Sequence, residues 1–136
     1  MGRICSGKDT YAAELLRDKK ADVHLSVGNI VRELTKSVQR VHKRDLDKAI
    51  CEKLRELIGA PIEKRVVVTG IRQYEIANAM LAMYGPVQIQ LVWIHACRSV
   101  RKERYEMRAD DKDRDMTFKE ADELDDELGM EDLIEY

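Results

Sequence analysis

Two hydrophobic rhythms alternate along the chain, one of helical period and one of short apolar runs. Thr10 to Lys19 places Tyr11, Ala12, Leu15 and Leu16 at helical spacing. Val23 to Ser26 follows as a short strand. Ile30 to Gln39 reads as a second helix, with Asn29 as its N-cap. Asp45 to Ile58 carries the clearest stripe, Leu46, Ile50, Leu54, Leu57 and Ile58, and Gly59 and Pro61 end it. Arg65 to Thr69 holds Val66, Val67 and Val68, a β-branched run that fits a strand buried on both faces. Gln73 to Tyr84 is helical, with Ile76, Ala77, Met80 and Met83 inward, and Gly85 and Pro86 stop it. Val87 to His95 reads as the next strand, and Arg98 to Arg108 as a highly charged helix. Asp110 to Asp115 is a loop. Thr117 and Glu120 have capping-box spacing and open a last helix striped by Phe118, Ala121, Leu124 and Leu128, which Gly129 closes.

Strand and helix signals that alternate in this way predict an α/β domain. A chain of 136 residues fits one domain, and 44% hydrophobic residues suffice for a core. No apolar run is long enough to cross a bilayer, and Gly2 and Arg3 directly after Met1 leave no room for a secretory signal. Cys5, Cys51 and Cys97 suggest neither a disulfide framework nor a zinc spacing. His24, His42 and His95 have no metal-ligand spacing and read as structural. The expectation is a reduced, soluble, cytoplasmic protein with no membrane partner.

Charge divides the chain in two. Residues 1–109 hold 21 Lys and Arg against 13 Asp and Glu, whereas residues 110–136 hold 3 against 13. A basic body suits small anionic ligands such as nucleotides. Nucleic acid is disfavoured, because aromatic platforms for stacking are lacking. The acidic tail reads as a solvated helix face. Asp110, Asp111, Asp113 and Asp115 lack the glycine and terminal glutamate of a calcium loop.

One motif carries chemistry. Gly2-Arg3-Ile4-Cys5-Ser6-Gly7-Lys8-Asp9-Thr10 fits the phosphate-loop pattern G-x-x-x-x-G-K. Glycines let backbone N–H groups turn toward a phosphate, and the helix that follows offers its open N–H groups and positive dipole end. Lys8 supplies a mobile positive charge and Thr10 a hydroxyl for a phosphate or for hydrated Mg²⁺. Cys5 inside the loop reads as a small neutral filler. Such a loop normally follows a buried strand, and only Met1 precedes Gly2 here. The expectation is therefore a fragment or a late-assigned start, with low stability for the isolated chain.

With these residues in hand the sequence resembles the adenylate kinase-related P-loop nucleoside monophosphate kinases. Gly7-Lys8-Asp9-Thr10 resembles their G-K-G-T and the G-K-D-T of deoxynucleotide monophosphate kinases. His24 through Glu33 resembles a segment reading roughly H-I-S-T-G-D-L-L-R. Val66-Val67-Val68-Thr69-Gly70-Ile71-Arg72 resembles a strand ending in D-G-F-P-R, or in D-G-I-R among archaeal proteins related to adenylate kinase and dephospho-CoA kinase. Ile94-His95-Ala96, Arg101, Arg104, Arg108 and Thr117 through Leu133 resemble the lid and following helix of that branch.

The resemblance implies a single P-loop kinase-type domain over 1–136, a parallel sheet flanked by helices and lacking the strand before the loop. It implies an acceptor-binding helical region at 30–60, a lid-like region at 98–116, and a further strand after residue 136. It implies an ATP-dependent kinase that moves the γ-phosphoryl group to a nucleoside monophosphate or related small nucleotide, with Mg²⁺ carried by ATP and water. Gly2, Arg3, Ile4, Cys5, Ser6, Gly7, Lys8, Asp9 and Thr10 would hold the ATP phosphates. Ser26, Gly28, Arg32 and Arg72 would meet the acceptor. Lys8, Arg101, Arg104 and Arg108 would be catalytic, and helical spacing places the three arginines on one face. Thr69 stands where relatives have a carboxylate near Mg²⁺, Val27 where they have threonine, and Asp110 where they have a second lid arginine. Alternatives are a dephospho-CoA kinase-like enzyme and an ATP-binding module with impaired catalysis.

Overall fold

The computed structural model describes residues 1–36, 46–59, 62–108, 116–130 and 133. Among them the order is α1 (Lys8–Arg17), β1 (Val23–Ser26), α2 (Val27–Thr35), α3 (Asp47–Ile58), β2 (Val66–Thr69), α4 (Tyr74–Tyr84), α5 (Arg98–Glu106) and α6 (Phe118–Glu127). The protein is α/β, with helices around a two-stranded parallel sheet. β1 and β2 pair in register, Val23 with Val66 and Ser26 with Thr69, so both strands end side by side.

The main core forms where α2, α3 and α4 meet: Val27, Ile30, Val31, Ile50, Leu54, Ile76, Ala77 and Met80 are buried together, with Leu25 and Val68 of the sheet against them. Alternation along the strands turns His24 and Val67 to the other face. α1 packs on the sheet as well. A two-stranded ribbon is marginal by itself, so these helices stabilise the sheet. A second, smaller core joins Ile4 of the N-terminal loop to Tyr105, Phe118 and Ala121 of α5 and α6.

Several boundaries and burials differ from the sequence expectation. The second helix starts at Val27, and Ser26 rather than Asn29 is its N-cap residue. The Asn29 side chain instead accepts a hydrogen bond from Arg32. Met83 and Leu57 are exposed. Val66, Val67 and Val68 are only half-buried, not covered on all sides. Val87 to His95 forms no strand. Gln39, Asp45, Arg40 to Arg44 and Asp110 to Asp115 lie outside the described residues.

The last two strand differences have one physical cause. A cleft of about 910 Å³ is lined by Val66 to Thr69 and by Gln88 to Val92 with Ile94, and not by β1. It therefore lies on the edge of β2 that faces away from β1. Met1 meets residues 92–94 at the end of this cleft: its terminal ammonium donates to Val92 O, and its O accepts from Ile94 N at 2.9 Å.

Gly2 is fixed by this contact. Its φ is +147°, and a Cβ there would lie 2.4 Å from Ile94 O and 2.6 Å from Ser6 Oγ. The carbonyl is backbone and cannot yield cheaply. Gly2→Ala is expected to destabilise the fold by about 2 kcal/mol, measured by urea unfolding. A loss below about 0.5 kcal/mol would show that the loop is not seated against Ile94.

Candidate functional site

The loop from Gly2 to Gly7 turns through three left-handed or near-left-handed residues, Gly2, Cys5 at φ 56° and Gly7 at φ 99°. Ser6 N donates to Arg3 O at 3.2 Å and closes the turn. Gly7 is then the N-cap residue of α1, and no side chain caps the helix. The first-turn N–H groups of α1 are thus left for water or for an anion. Lys8 opens the helix, and its Nζ donates to Arg3 O at 3.3 Å. Thr10 is exposed in the same turn. The side chain of Ile4 points away and anchors the loop in the smaller core.

α5 and α6 supply the walls around this loop. Arg104 Nη1 donates to Cys5 O at 3.2 Å, and Arg108 Nη1 reaches Cys5 Sγ at 3.9 Å. Two of the three arginines on the predicted face therefore meet the phosphate-loop motif, although more than 95 residues separate them from it. Arg101 goes elsewhere. It is buried, binds Asp122, and donates from Nε to Ala96 O at 3.2 Å. Arg98 also binds Asp122, at 3.1 Å, and Arg3 approaches it at 3.7 Å. The guanidinium carbons of Arg98 and Arg101 lie 5.6 and 5.5 Å from the ring centre of Phe118, within cation–π range.

Asp125 is the second carboxylate of this wall, with 0% of its surface exposed. Its Oδ2 accepts from the backbone N of Ile4 at 2.6 Å, and Oδ1 lies 2.8 Å from Arg72 Nη1. Arg3 also pairs with Asp126. The acidic tail is thus not a solvated face throughout. Asp122 and Asp125 share a buried stripe with Phe118, Ala121 and Leu128. The signal was present in the sequence: both acids sit at helical spacing among apolar residues. Composition masked it, because charge runs are read as exposed.

The acceptor residues separate into two places. Ser26, Gly28 and Arg32 cluster at the start of α2; a Cβ on Gly28 would lie 3.6 Å from Ser26 Oγ and 4.0 Å from Arg32 Nη1. No side chain caps α2 either. Gly70, at φ +81°, packs the end of β2 against Val27 and Gly28 N. Arg72 does not join this cluster, because Asp125 holds it. Thr69 is buried, and its Oγ1 lies 2.8 Å from His24 Nε2 across the sheet. Sequence reasoning gave His24 no part at this strand end. It also passed over Gln73, which is 0% exposed with neither amide atom hydrogen-bonded among the described residues. Ser6 Oγ is buried in the same condition.

No protein-family model, curated protein or solved structure matches the chain. Among the described residues, no group of three or more His, Cys, Asp and Glu side chains is placed to hold a metal. No helix among them is long and apolar enough to cross a membrane.

Burial acts to raise the pKa of Asp122, but hydrogen bonds from Arg101 and Arg98 and the nearby charges of Arg101 and Arg3 outweigh it and hold the carboxyl below the ordinary aspartate value. A carboxylate depressed on folding contributes its full stability above its ordinary value, and that contribution is lost as pH falls through the folded value. The α5–α6 clamp is therefore expected to weaken below about pH 4. Asp122→Asn leaves Arg101 buried without its anion and should cost about 3 kcal/mol at neutral pH. It should also flatten the acid limb of stability between pH 5 and 2, ranges typical of carboxylate linkage. Urea titrations across pH test both; a parallel acid limb in the variant would remove Asp122 from this role.

Proposed function

We propose that the chain binds the phosphates of Mg-ATP on the Gly2–Thr10 loop and transfers the γ-phosphoryl group to a nucleoside monophosphate or related small nucleotide, as a P-loop kinase-type domain. The observation that carries this reading is the convergence of Arg104 and Arg108 on Cys5, beside the uncapped start of α1 and Lys8. Two cationic side chains thus meet the loop at Cys5, and Lys8 and a set of backbone donors stand on the same loop and helix start. That arrangement suits a polyphosphate, whose charge is delocalised over several oxygens.

In this reading an acceptor phosphate oxygen attacks the γ-phosphorus, the bond to the β–γ bridging oxygen breaks, and ADP leaves. Phosphoryl transfer of this kind needs positioning and charge neutralisation more than covalent help. Lys8 and the loop amides hold the β- and γ-phosphates. Arg104 and Arg108 neutralise charge on the transferring group. Ser26, Gly28 and Arg32 at the start of α2 receive the acceptor's phosphate. Arg101 and Arg72 act as positioning residues through Asp122 and Asp125. Mg²⁺ enters with ATP as part of the substrate. Thr10 is the hydroxyl that faces it, and Thr69 offers no carboxylate in support.

Two observations favour a second reading, a nucleotide-binding module with weak catalysis. The Ile4 amide is already taken by a carboxylate, and Thr69 is engaged by His24. A dephospho-CoA kinase-like acceptor remains the alternative within the first reading.

ADP formation from Mg-ATP, measured with a panel of nucleoside monophosphates and dephospho-CoA, separates these readings. The expected result is turnover that depends on one acceptor. Lys8→Ala should abolish it, a loss of at least about 10³-fold if the charge acts at the transition state. ATP binding without turnover favours the second reading. Turnover in the Lys8→Ala protein within a few-fold of the parent removes Lys8 from the mechanism.

A further inference from the structure

Two strand ends and two helix starts meet at one end of the sheet. β1 and β2 are parallel and finish side by side at Ser26 and Thr69. α2 begins directly after Ser26, so its start lies at that end. α1 has its start there too. After α1 the chain turns back at Lys20 and Ala21, whose N–H groups bond to Leu15 O, and enters β1 at Val23. A helix of 10 residues is about 15 Å long. A strand of 4 residues spans about 13 Å. The return path therefore brings Lys8 level with Ser26 and Thr69, and Lys8 and Thr69 line the same cleft. In parallel sheets flanked by helices, ligands settle at the carboxyl ends of the strands.

Leu25 and Val68 meet the main core, to which α1 contributes no residue, although α1 packs on both strands. Alternation puts His24 and Ser26, with Val67 and Thr69, on the opposite face, the one α1 covers. On that face His24 Nε2 lies 2.8 Å from Thr69 Oγ1, a diagonal pair across the two strands. Thr69 is buried and His24 half-buried. A threonine hydroxyl donates once and accepts twice. When the ring carries its proton on Nε2, it donates to Thr69 Oγ1, and the hydroxyl proton is free to turn to another acceptor. When the ring carries it on Nδ1, the hydroxyl proton points at the ring instead.

We propose that Thr69 is a phosphate-binding residue of the loop site and that His24 positions it. The ring donates its Nε2 proton to Thr69 Oγ1 and so leaves the hydroxyl as a donor. That donor meets an oxygen of the terminal phosphate held by Lys8 and the start of α1. The chemistry of the position favours a direct contact. A carboxylate here would repel a phosphate unless a cation came between them. A hydroxyl carries no charge, needs no intervening ion, and gains strength from a charged acceptor. The contact between His24 and Thr69 is then part of the ligand's surroundings and not an obstacle to the ligand. Thr69 takes this part only if the loop is the phosphate site; no transfer step is required.

The test is calorimetric binding of the β,γ-imido analogue of ATP, once with Mg²⁺ and once with EDTA. Thr69→Val keeps the shape of the side chain and removes the hydroxyl. It is expected to weaken binding about tenfold, the usual weight of a hydrogen bond to a charged group, in both conditions. Thr69→Ser should restore most of the affinity. His24→Phe should lose as much as Thr69→Val, and the two together should lose no more than either alone. His24→Gln, whose amide nitrogen can donate to Oγ1, should bind as the parent does. Binding by Thr69→Val within about twofold of the parent overturns the proposal. So does a loss seen only with Mg²⁺, which would place the hydroxyl at the ion's water, or full affinity in His24→Phe. A parent that binds no analogue removes the loop as a phosphate site and this role with it; a parent that binds while Thr69→Val binds equally removes the role of Thr69 alone.

Discussion

Two buried carboxylates on α6 hold the Gly2–Gly7 loop against α5 and α6. Asp122 and Asp125 reach across more than 100 residues of sequence to Arg3 and to the amide of Ile4, and they gather Arg72, Arg98 and Arg101 on the way. Burying charge is costly, and the cost is recovered only when each group is paired and hydrogen-bonded. Here Asp122 accepts from Arg98 and Arg101, Asp125 accepts from the Ile4 amide and is ion-paired with Arg72 while its Oδ1 makes no hydrogen bond among the described residues, and Phe118 offers its ring face to two of the guanidinium groups. The pairing fixes where α6 lies on the loop more sharply than apolar contacts alone, because few registers satisfy every charge. The smaller core of Ile4, Tyr105, Phe118 and Ala121 then packs beneath it. The edge-to-face contact of Tyr105 and Phe118, 5.7 Å between ring centres, belongs to the same assembly.

The loop inherits its shape from that clamp. One amide, Ile4 N–H, points inward to Asp125, while the uncapped start of α1 points outward. An anion on the loop would be held by the outward donors. The inward bond would keep the backbone in the turn whether or not an anion is present. A preorganised loop spends less free energy on ordering when it binds, which is the usual advantage of a site built on fixed elements. The same bond places a negative charge close behind the loop, which works against a polyphosphate. The balance between preorganisation and repulsion separates the two readings of function, and it comes from one residue, Asp125.

Much of the framework was legible in the sequence. The helical stripes at Ile50 and Leu54, the capping box at Thr117 and Glu120, the valine strand and the loop motif all rest on local periodicity or local chemistry, and local rules apply directly to them. The α/β class followed from their alternation. What escaped detection depends on partners distant in the chain. Val87 to His95 has strand chemistry, yet a strand exists only when a neighbour offers its edge, and a cleft separates this segment from β2. Arg72 and Arg101 look like ligand arginines by type and spacing, and only the fold reveals the aspartates that engage them. Asp122 and Asp125 were hidden by the opposite error, since a helix rich in acids is ordinarily wet. His24 and Thr69 lie 45 residues apart and meet only through strand register.

Charge asymmetry takes on a different meaning once these pairs are known. A basic body followed by an acidic tail first suggests that the body awaits an external polyanion. In the folded chain, part of the tail is that polyanion. Arg3, Arg72, Arg98 and Arg101 are answered by carboxylates of α6, so they add little to the field seen by a ligand. Arg104 and Arg108 point instead to Cys5, next to Lys8 and the open end of α1. Among the described residues, Arg104, Arg108 and Lys8 meet the open start of α1 at the loop, and Arg32 stands at the equally uncapped start of α2. A long nucleic acid needs a broad cationic track along its backbone. A small phosphate cluster needs only a short convergence of charge and N–H groups, and this is what the internal pairing leaves at the loop.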